Sequence, residues 1–131
     1  MNFRKTFIKM KIILIIEDND DIRENTCELL ELEGYRVLAA DNGKTGLILA
    51  KENKPDVILC DIMMPEADGY EVFNALKDDP DTSSIPFVFL TASVEKKAVE
   101  TGFGMGAKGY IQKPFDPQEL FEVITNCLKE L

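Results

Sequence analysis

The sequence predicts an α/β fold in which a doubly wound, five-stranded parallel sheet carries helices on both faces. From residue 12 onward, short runs of branched apolar residues alternate five times with stretches of helical periodicity. The runs are apolar at consecutive positions, which is typical of parallel strands that are covered on both sides. No repeat or linker-like stretch interrupts the alternation, and 131 residues fit one domain. We therefore predict a three-layer sandwich formed by a single domain.

The first half of the chain predicts two strand–helix units. Residues 12–16 form an unbroken run of branched apolar side chains, which favours a strand. Apolar residues recur at helical spacing from Asp21 onward, and Gly34 is the residue type that most often follows a helix C-terminus. Residues 35–40 predict the second strand. An Asp-Asn-Gly turn then begins a second helix, which Pro55 prevents from continuing.

The second half predicts three further strands, each followed by a helix. Residues 57–60 form the third strand and lead through Asp61 into a turn-rich loop and a helix over residues 70–77. The fourth strand is predicted over residues 87–90. The next helix is predicted over residues 94–103, where nearby glycines lower helix propensity and favour a frayed end.

The last two predicted elements are a short strand over residues 109–112 and a helix whose N-terminus is strongly indicated by its capping residues. Asp116, Pro117 and Glu119 fall at the N-cap, N1 and N3 positions of this helix, where these residue types are preferred. The apolar residues that we expect this helix to bury are Leu120, Val123 or Ile124, Cys127 and Leu131.

The distribution of charge argues against several classes of partner. Residues 1–10 form a basic extension that we predict to be flexible, and residues 11–131 form the predicted domain. The chain has a net charge of -9, although four of its 15 basic residues fall within the first 11 positions. An acidic domain lacks the basic footprint of direct nucleic-acid binding. No apolar stretch is long enough to span a bilayer, so we expect no membrane insertion and a cytoplasmic location.

Histidine is absent, and the three cysteines, Cys27, Cys60 and Cys127, are far apart. The absence of histidine excludes an internal Ser-His or Cys-His dyad, a histidine metal ligand and a histidine general base. The cysteines lack the spacing of a metal site and are predicted to be reduced, mostly buried thiols.

Four of the predicted strands are followed at once by an ionisable or hydroxyl side chain. Glu17 and Asp18 come after the first strand, Asp61 after the third, Thr91 after the fourth and Lys113 after the fifth. Taken singly, each of these side chains has an ordinary structural explanation: a charge at the start of a helix, a hydroxyl that bonds within a turn, or a charged group in water at the end of a strand. In a doubly wound sheet, however, the carboxyl ends of the strands share one edge, where ligands bind. Their joint occurrence therefore predicts a functional site.

The chemistry of these side chains predicts phosphoryl transfer to Asp61. The carboxylates of Glu17, Asp18 and Asp61 would repel one another, and a hard divalent cation would relieve that repulsion. A few carboxylates with room for water suit Mg²⁺. The cation and Lys113 would neutralise an incoming phosphoryl group, and the Thr91 hydroxyl would bond one of its oxygens. Attack by a carboxylate on phosphorus yields an acyl phosphate.

These motifs resemble those of the receiver domains of two-component response regulators. The matching segments are Glu17-Asp18, the run from Asp61 to Gly69, Leu90-Thr91-Ala92, Gly106-Ala107-Lys108-Gly109-Tyr110 and Lys113-Pro114-Phe115. The resemblance covers residues 11–131 and implies a flavodoxin-like (CheY-like) sandwich with strand order 2-1-3-4-5. Glu17 departs from the Asp that is common at the first acidic position, but it keeps the charge.

The resemblance also implies a phosphodonor and a metal site. Asp61 would be phosphorylated from a phosphohistidine on a partner histidine kinase or histidine phosphotransfer protein. Mg²⁺ would be held by Asp18, Asp61 and the backbone carbonyl of Met63, with Glu17 helping through water. The chain would then be a phosphoacceptor with intrinsic autophosphatase activity rather than an enzyme.

The same resemblance implies a conformational switch, and the low helix propensity near residues 94–103 separately indicates a movable element that could form an output surface. Thr91 and Tyr110 would form the switch, in which the hydroxyl moves toward the phosphoryl group and the ring turns inward. The Lys113–Pro114 bond is often cis in this family. We expect an unidentified output protein to read the surface formed by the helix over residues 94–103, the last strand and the last helix.

Several alternatives remain open from the sequence. A flavin-binding module would need a phosphate cradle after the first strand, where this chain instead places a run of acidic residues. A Mg²⁺-dependent phosphohydrolase would normally need a further acid–base group near Asp61. A degenerate receiver that acts only as a scaffold would not need the intact site residues. The chain could also be a receiver domain from a larger regulator or a hybrid histidine kinase.

Overall fold

The computed structural model of the chain describes residues 10–92, 104 and 106–129. Within these residues the strands are β1 (Ile12–Ile16), β2 (Arg36–Ala40), β3 (Val57–Asp61), β4 (Phe87–Thr91) and β5 (Gly109–Gln112). The helices are α1 (Asp20–Leu32), α2 (Gly43–Asn53), α3 (Gly69–Lys77) and α4 (Pro117–Lys129). Three parts of the prediction lie outside the described residues: the helix over residues 94–103, Leu131, and the basic extension apart from Met10.

All five strands pair in parallel, in the order β2-β1-β3-β4-β5. This confirms the doubly wound sheet and the strand order that the family resemblance implied. The direction of winding reverses between β1 and β3, and folds of this kind bind ligands in the crevice outside the carboxyl ends of the strands at that point. Asp61 is the last residue of β3, so the topology places it beside this crevice.

Side chains of the sheet alternate between two apolar cores, one on each face. The core under α2 and α3 includes Leu14, Cys60 and Phe89 from the strands and Ala50, Val72, Phe73 and Leu76 from the helices. The core under α1 and α4 includes Ile15, Leu59 and Leu90 from the strands and Leu30, Leu120, Ile124 and Cys127 from the helices. The three-layer prediction is therefore confirmed, and of the two candidates in α4, Ile124 is buried whereas Val123 is half-buried.

The helix ends follow the sequence signals closely, and small shifts in the boundaries have local causes. Helix α1 begins one residue earlier than predicted because the Asn19 side chain accepts the N–H of Ile22 at 2.9 Å. Gly34 has a φ of +94° after the C-terminus of this helix. The N–H of Tyr35 then bonds the carbonyl of Leu30, so β2 begins at Arg36 rather than at Tyr35.

The remaining termini agree with the predicted chemistry. Helix α3 begins at Gly69 because Asp68 caps it by accepting the N–H of Glu71 at 2.9 Å. Asp116 accepts the N–H of Gln118 at 2.8 Å, which confirms it as the residue that caps α4. Cys60 and Cys127 are buried and Cys27 is half-buried, and no disulfide joins any of the three within the described residues. No helix in the described part of the chain is long and apolar enough to cross a bilayer.

Candidate functional site

Three of the predicted residues are in direct contact at the carboxyl edge of the sheet. The Nζ atom of Lys113 lies 2.7 Å from Oε1 of Glu17 and 3.2 Å from Oδ2 of Asp61. Glu17 and Lys113 are 96 residues apart in sequence, so only the fold brings them together. The exposed fractions of the side chains are 12% for Lys113, 0% for Glu17 and 5% for Asp61. The lysine therefore bridges two carboxylates in a site that is largely removed from water.

Strand alternation explains why these three side chains meet. Successive residues of a strand point to opposite faces, so residues two apart share a face. The residues two positions before Glu17, Asp61 and Lys113 are Ile15, Leu59 and Ile111, and all three belong to the core under α1 and α4. The polar residues continue the pattern of that core past the edge of the sheet, where apolar packing ends.

Glu17, Asp18 and Asp61 form an acidic cluster. One carboxylate oxygen from each lies within 4.8 Å of the others. Glu17 and Asp61 are buried, whereas Asp18 is exposed and leaves one side of the cluster open to water. Oxygen donors of this kind, with room for water ligands, fit a hard divalent cation such as Mg²⁺.

The electrostatics of the cluster favour an additional cation. Burial raises the pKa of Glu17 to about 7; the hydrogen bond from Lys113 opposes this rise and the proximity of Asp61 adds to it. Burial alone would lower the pKa of Lys113, but the hydrogen bond to Glu17 and the charge of Asp61 outweigh burial and raise it. A single ammonium thus faces two buried carboxylates, and it leaves their mutual repulsion only partly relieved.

The backbone that carries Asp61 is held by the start of α3. The N–H of Gly69 donates to the carbonyl of Ile62 at 2.8 Å. A Cβ atom at Gly69 would collide with the backbone carbonyl of Asp61 and would lie 2.9 Å from Cα of Ile62. Only glycine permits so close an approach. Sequence reasoning treated Gly69 as a turn residue and missed this role, although the Asp-Gly pair before the helix was an available signal.

Two further residues flank the cluster. Arg23, which sequence reasoning also missed, donates from Nη1 to the backbone carbonyl of Glu17 at 2.9 Å and from Nη2 to Oδ1 of Asp20 at 2.6 Å. It thereby ties α1 to the segment that follows β1. Met63 lies in the loop after β3 and is 78% exposed; its thioether is a soft ligand, so any contribution to a site for a hard cation would come from its backbone carbonyl.

Thr91 and Tyr110 lie on the other face of the sheet from the bridged carboxylates. Thr91 ends β4 and is 4% exposed; by alternation it shares the face of Phe89. Its carbonyl accepts the N–H of Lys113 at 2.7 Å. Tyr110 of β5 packs against Phe89, with ring centroids 5.4 Å apart. Burial raises the pKa of Tyr110, and a hydrogen bond with the hydroxyl of Tyr70 adds to the rise.

The segment after β5 also agrees with the family resemblance. The peptide bond between Lys113 and Pro114 is cis, as the resemblance led us to expect. Lys113 directly follows β5, so it joins this strand to the loop before α4.

Comparisons with known proteins give a consistent result. The family described as the response regulator receiver domain matches residues 13–125. The chain is 36% identical over 119 residues to protein PilH of Pseudomonas aeruginosa, which covers 91% of this chain and 98% of PilH. It is 42% identical over 110 residues to the phosphate regulon transcriptional regulatory protein PhoB of the same organism, which covers 84% of this chain and 48% of PhoB.

Solved structures agree with these sequence matches. The chemotaxis protein CheY4 of Vibrio cholerae superimposes with a TM-score of 0.87 at 29% identity, covering 92% of this chain and 100% of that one. The chain spans about half the length of several of the curated relatives that it matches.

Proposed function

The chain belongs to the response regulator receiver domain family of two-component signal transduction, and from this premise we propose that Asp61 accepts a phosphoryl group. The donor is a phosphohistidine on a histidine kinase or a histidine phosphotransfer protein. The phosphorylated chain then changes conformation and controls an output protein. Several relatives are about twice as long as this chain, so the control of a separate output protein is part of the proposal.

The observation that carries this proposal is the contact between Lys113 and Asp61. A buried ammonium 3.2 Å from a carboxylate oxygen would normally be explained as an ion pair. Here the same ammonium is 2.7 Å from Glu17, and Asp18 adds a third carboxylate nearby. Burying charged groups costs free energy that their mutual attraction offsets only in part, so such a cluster is better explained by a functional role than by stability. Binding a cation and a phosphoryl group at this site would provide that role.

The positions of Asp61 and Lys113 support a specific chemical step. An oxygen of Asp61 attacks phosphorus in line with the leaving group, the bond between phosphorus and the donor imidazole nitrogen breaks, and its electron pair stays on that nitrogen. The product is an acyl phosphate on Asp61. Lys113, already beside this carboxylate, stabilises negative charge on a phosphoryl oxygen. The hydroxyl of Thr91, which lies on the other face of the sheet in this structure, moves toward the phosphoryl group and bonds a second phosphoryl oxygen.

The acidic cluster would hold Mg²⁺, which supplies the positive charge that lets a carboxylate approach an anionic phosphoryl group. In this proposal Asp18, Asp61 and the backbone carbonyl of Met63 are the protein ligands, and Glu17 acts through water. The bond between Glu17 and Lys113 supports this division, because Lys113 engages an oxygen of Glu17 at 2.7 Å but lies farther, at 3.2 Å, from an oxygen of Asp61.

Thr91 and Tyr110 would transmit the modification. Phosphorylation adds a charge of about -1.5 to -2 at Asp61, and it changes function only by favouring one of two arrangements of the nearby chain. Thr91 ends the strand beside Asp61, and Tyr110 lies on the next strand against Phe89. Movement of Thr91 would therefore alter the packing available to the Tyr110 ring, at the surface that the output protein reads.

The proposal includes three further points. The acyl phosphate is hydrolysed slowly by intrinsic autophosphatase activity. The chain acts in the cytoplasm beside its phosphodonor, without membrane insertion. It does not bind nucleic acid directly, because its net charge of -9 would repel a phosphate backbone.

Intact-mass spectrometry tests the proposal directly. The protein is incubated with acetyl phosphate and Mg²⁺, beside the isosteric variant Asp61→Asn and a sample with excess EDTA. We expect the mass of one phosphoryl group on the wild-type protein, none on the variant and little in EDTA. Hydroxylamine, which cleaves acyl phosphates, should remove the added mass. Equal labelling of the wild-type protein and the variant would refute the assignment of Asp61.

A further inference from the structure

Two tyrosine hydroxyl groups meet above the central aromatic residue of β4. Tyr70 lies in the first turn of α3 and Tyr110 lies on β5, and their oxygens are 3.2 Å apart. The two residues are separated by 40 positions in the sequence. The chemistry at Asp61 does not require Tyr70, so this contact calls for a separate explanation.

Aromatic packing holds both rings in place for this contact. The ring of Phe89 lies 5.1 Å from that of Tyr70 and 5.4 Å from that of Tyr110, measured between centroids. Strand register also pairs Phe89 with Tyr110. Tilted ring pairs at these distances are favourable. The hydrogen bond thus joins the outer ends of two rings that share one aromatic neighbour.

The turn that carries Tyr70 is fixed to the end of β3. The preceding residue, Gly69, donates its N–H to the carbonyl of Ile62 and packs against the backbone carbonyl of Asp61. Tyr70 is therefore one residue away from a rigid backbone contact with the proposed phosphoacceptor. The position of the Tyr70 hydroxyl depends on the geometry of that strand end.

We propose that Tyr70 is a positioning residue for Tyr110: its hydroxyl holds the Tyr110 ring in the half-buried position of the unmodified protein. The inference rests on the proposed switch role of Tyr110, because movement of that ring would require this hydrogen bond to break. Tyr70 then sets how readily phosphorylation at Asp61 moves the ring.

The expected size of the effect is modest. Hydroxyl pairs usually lie 2.5–3.0 Å apart, so a separation of 3.2 Å places this bond among the weaker ones. From the net free energy of a neutral hydrogen bond, loss of this one should shift the ratio of the two ring positions by roughly two- to fivefold. A bond of this strength can be opened by a modification that adds up to two charges nearby.

Fluorine NMR can test the inference, because the chain has three tyrosines, Tyr35, Tyr70 and Tyr110. The protein is labelled with 3-fluorotyrosine, and each resonance is assigned by substitution with phenylalanine. Tyr70→Phe removes the hydroxyl and keeps the ring on Phe89. Tyr35→Phe is the matched control, because Tyr35 packs against the core on the opposite face of the sheet.

We expect Tyr70→Phe to shift the Tyr110 resonance of the unmodified protein toward its position in the phosphorylated protein. The affinity for beryllofluoride with Mg²⁺, a mimic of the phosphoryl group, should rise roughly two- to fivefold. The control variant should change neither quantity. In the double variant Tyr70→Phe/Tyr110→Phe, the gain in affinity should not exceed that of Tyr70→Phe alone.

The outcomes separate this inference from the proposed function. If the wild-type protein gains no phosphoryl mass, the proposed function fails, and the Tyr110 resonance of unmodified Tyr70→Phe still decides whether Tyr70 positions that ring. If the wild-type protein is labelled on Asp61 but Tyr70→Phe leaves the Tyr110 resonance and the beryllofluoride affinity unchanged, the inference is overturned and the proposed function stands.

Discussion

Replacing Gly69 with alanine should disturb the strand end that carries Asp61. The new Cβ atom would collide with the backbone carbonyl oxygen of Asp61, and it would lie 2.9 Å from Cα of Ile62 and 3.1 Å from the carbonyl carbon of Asp61. All of these are backbone atoms, so no side chain can rotate away to make room. Either α3 must move outward or the end of β3 must shift.

The cost follows from this geometry. Overpacking a well-packed site costs about 1–3 kcal/mol, and contacts with backbone atoms favour the upper half of that range. The higher helix propensity of alanine offsets at most about 1 kcal/mol. We therefore expect a net loss of about 1–3 kcal/mol in the free energy of unfolding, which lowers Tm by roughly 3–15 °C in a domain of this size.

Displacement of Asp61 should also slow its phosphorylation, since small errors in placing a reacting group cost large factors in rate. We expect about a tenfold decrease in the rate of labelling by acetyl phosphate. Urea unfolding and time-resolved intact-mass spectrometry measure the two effects. Gly104→Ala is the matched control, because a Cβ atom there would meet nothing within 4 Å. An unchanged unfolding midpoint together with an unchanged labelling rate in Gly69→Ala would refute this reasoning.

Four further perturbations have defined expected outcomes. Glu66 has a φ of +70°, so Glu66→Gly should raise the free energy of urea unfolding by about 0.5–1 kcal/mol by relieving the left-handed conformation. Asp116→Ala should lower it by about 1 kcal/mol, because the cap on the N–H of Gln118 is lost. Mg²⁺ at about 100 times its Kd should stabilise the protein by about 2.7 kcal/mol in thermal unfolding, and Asp18→Asn should lose most of this gain. Lys113→Met should bind Mg²⁺ more tightly by calorimetry yet be labelled more slowly by acetyl phosphate, because the ammonium competes with the metal but stabilises the phosphoryl group.

Each of these expectations has an outcome that contradicts it. A less stable Glu66→Gly would mean that the loop tolerates the positive φ without strain. An Asp116→Ala variant as stable as the wild-type protein would show that water replaces the cap. Equal stabilisation of the wild-type protein and Asp18→Asn by Mg²⁺ would place the cation elsewhere. Weaker Mg²⁺ binding by Lys113→Met would mean that the lysine organises the carboxylates rather than competing with the cation.

Much of the fold could be predicted from the sequence because its signals are local. The branched apolar run of β1, the Asp-Pro start of α4 and the glycine after α1 each depend on neighbours only a few residues away. The boundary errors are local too: Tyr35 has strand-like chemistry, but its N–H is bonded to Leu30 at the end of α1. The strand order was not predicted from periodicity; it was inferred from the resemblance to a known family.

Strand alternation also indicates which face of the sheet each site residue occupies, and the prediction from sequence did not use this. Counting two residues back from Glu17, Asp61 and Lys113 reaches apolar residues of one core, so their shared face could have been predicted once the strands were assigned. The same count from Thr91 reaches Phe89, on the other face. The close approach at Gly69 could not have been predicted this way, because it depends on where α3 meets β3 in space.

The amino-acid sequence by itself determined which segments become strands and helices, and which chemical groups stand at the strand ends. Tertiary structure decided which of these groups touch: Lys113 with Glu17 and Asp61, and Tyr70 with Tyr110. The physical reason is the separation along the sequence over which each kind of interaction acts. Propensity, capping and periodicity act within a few residues, whereas contacts across 40 or 96 positions exist only after strand order and register have been fixed by burial of both faces of the sheet.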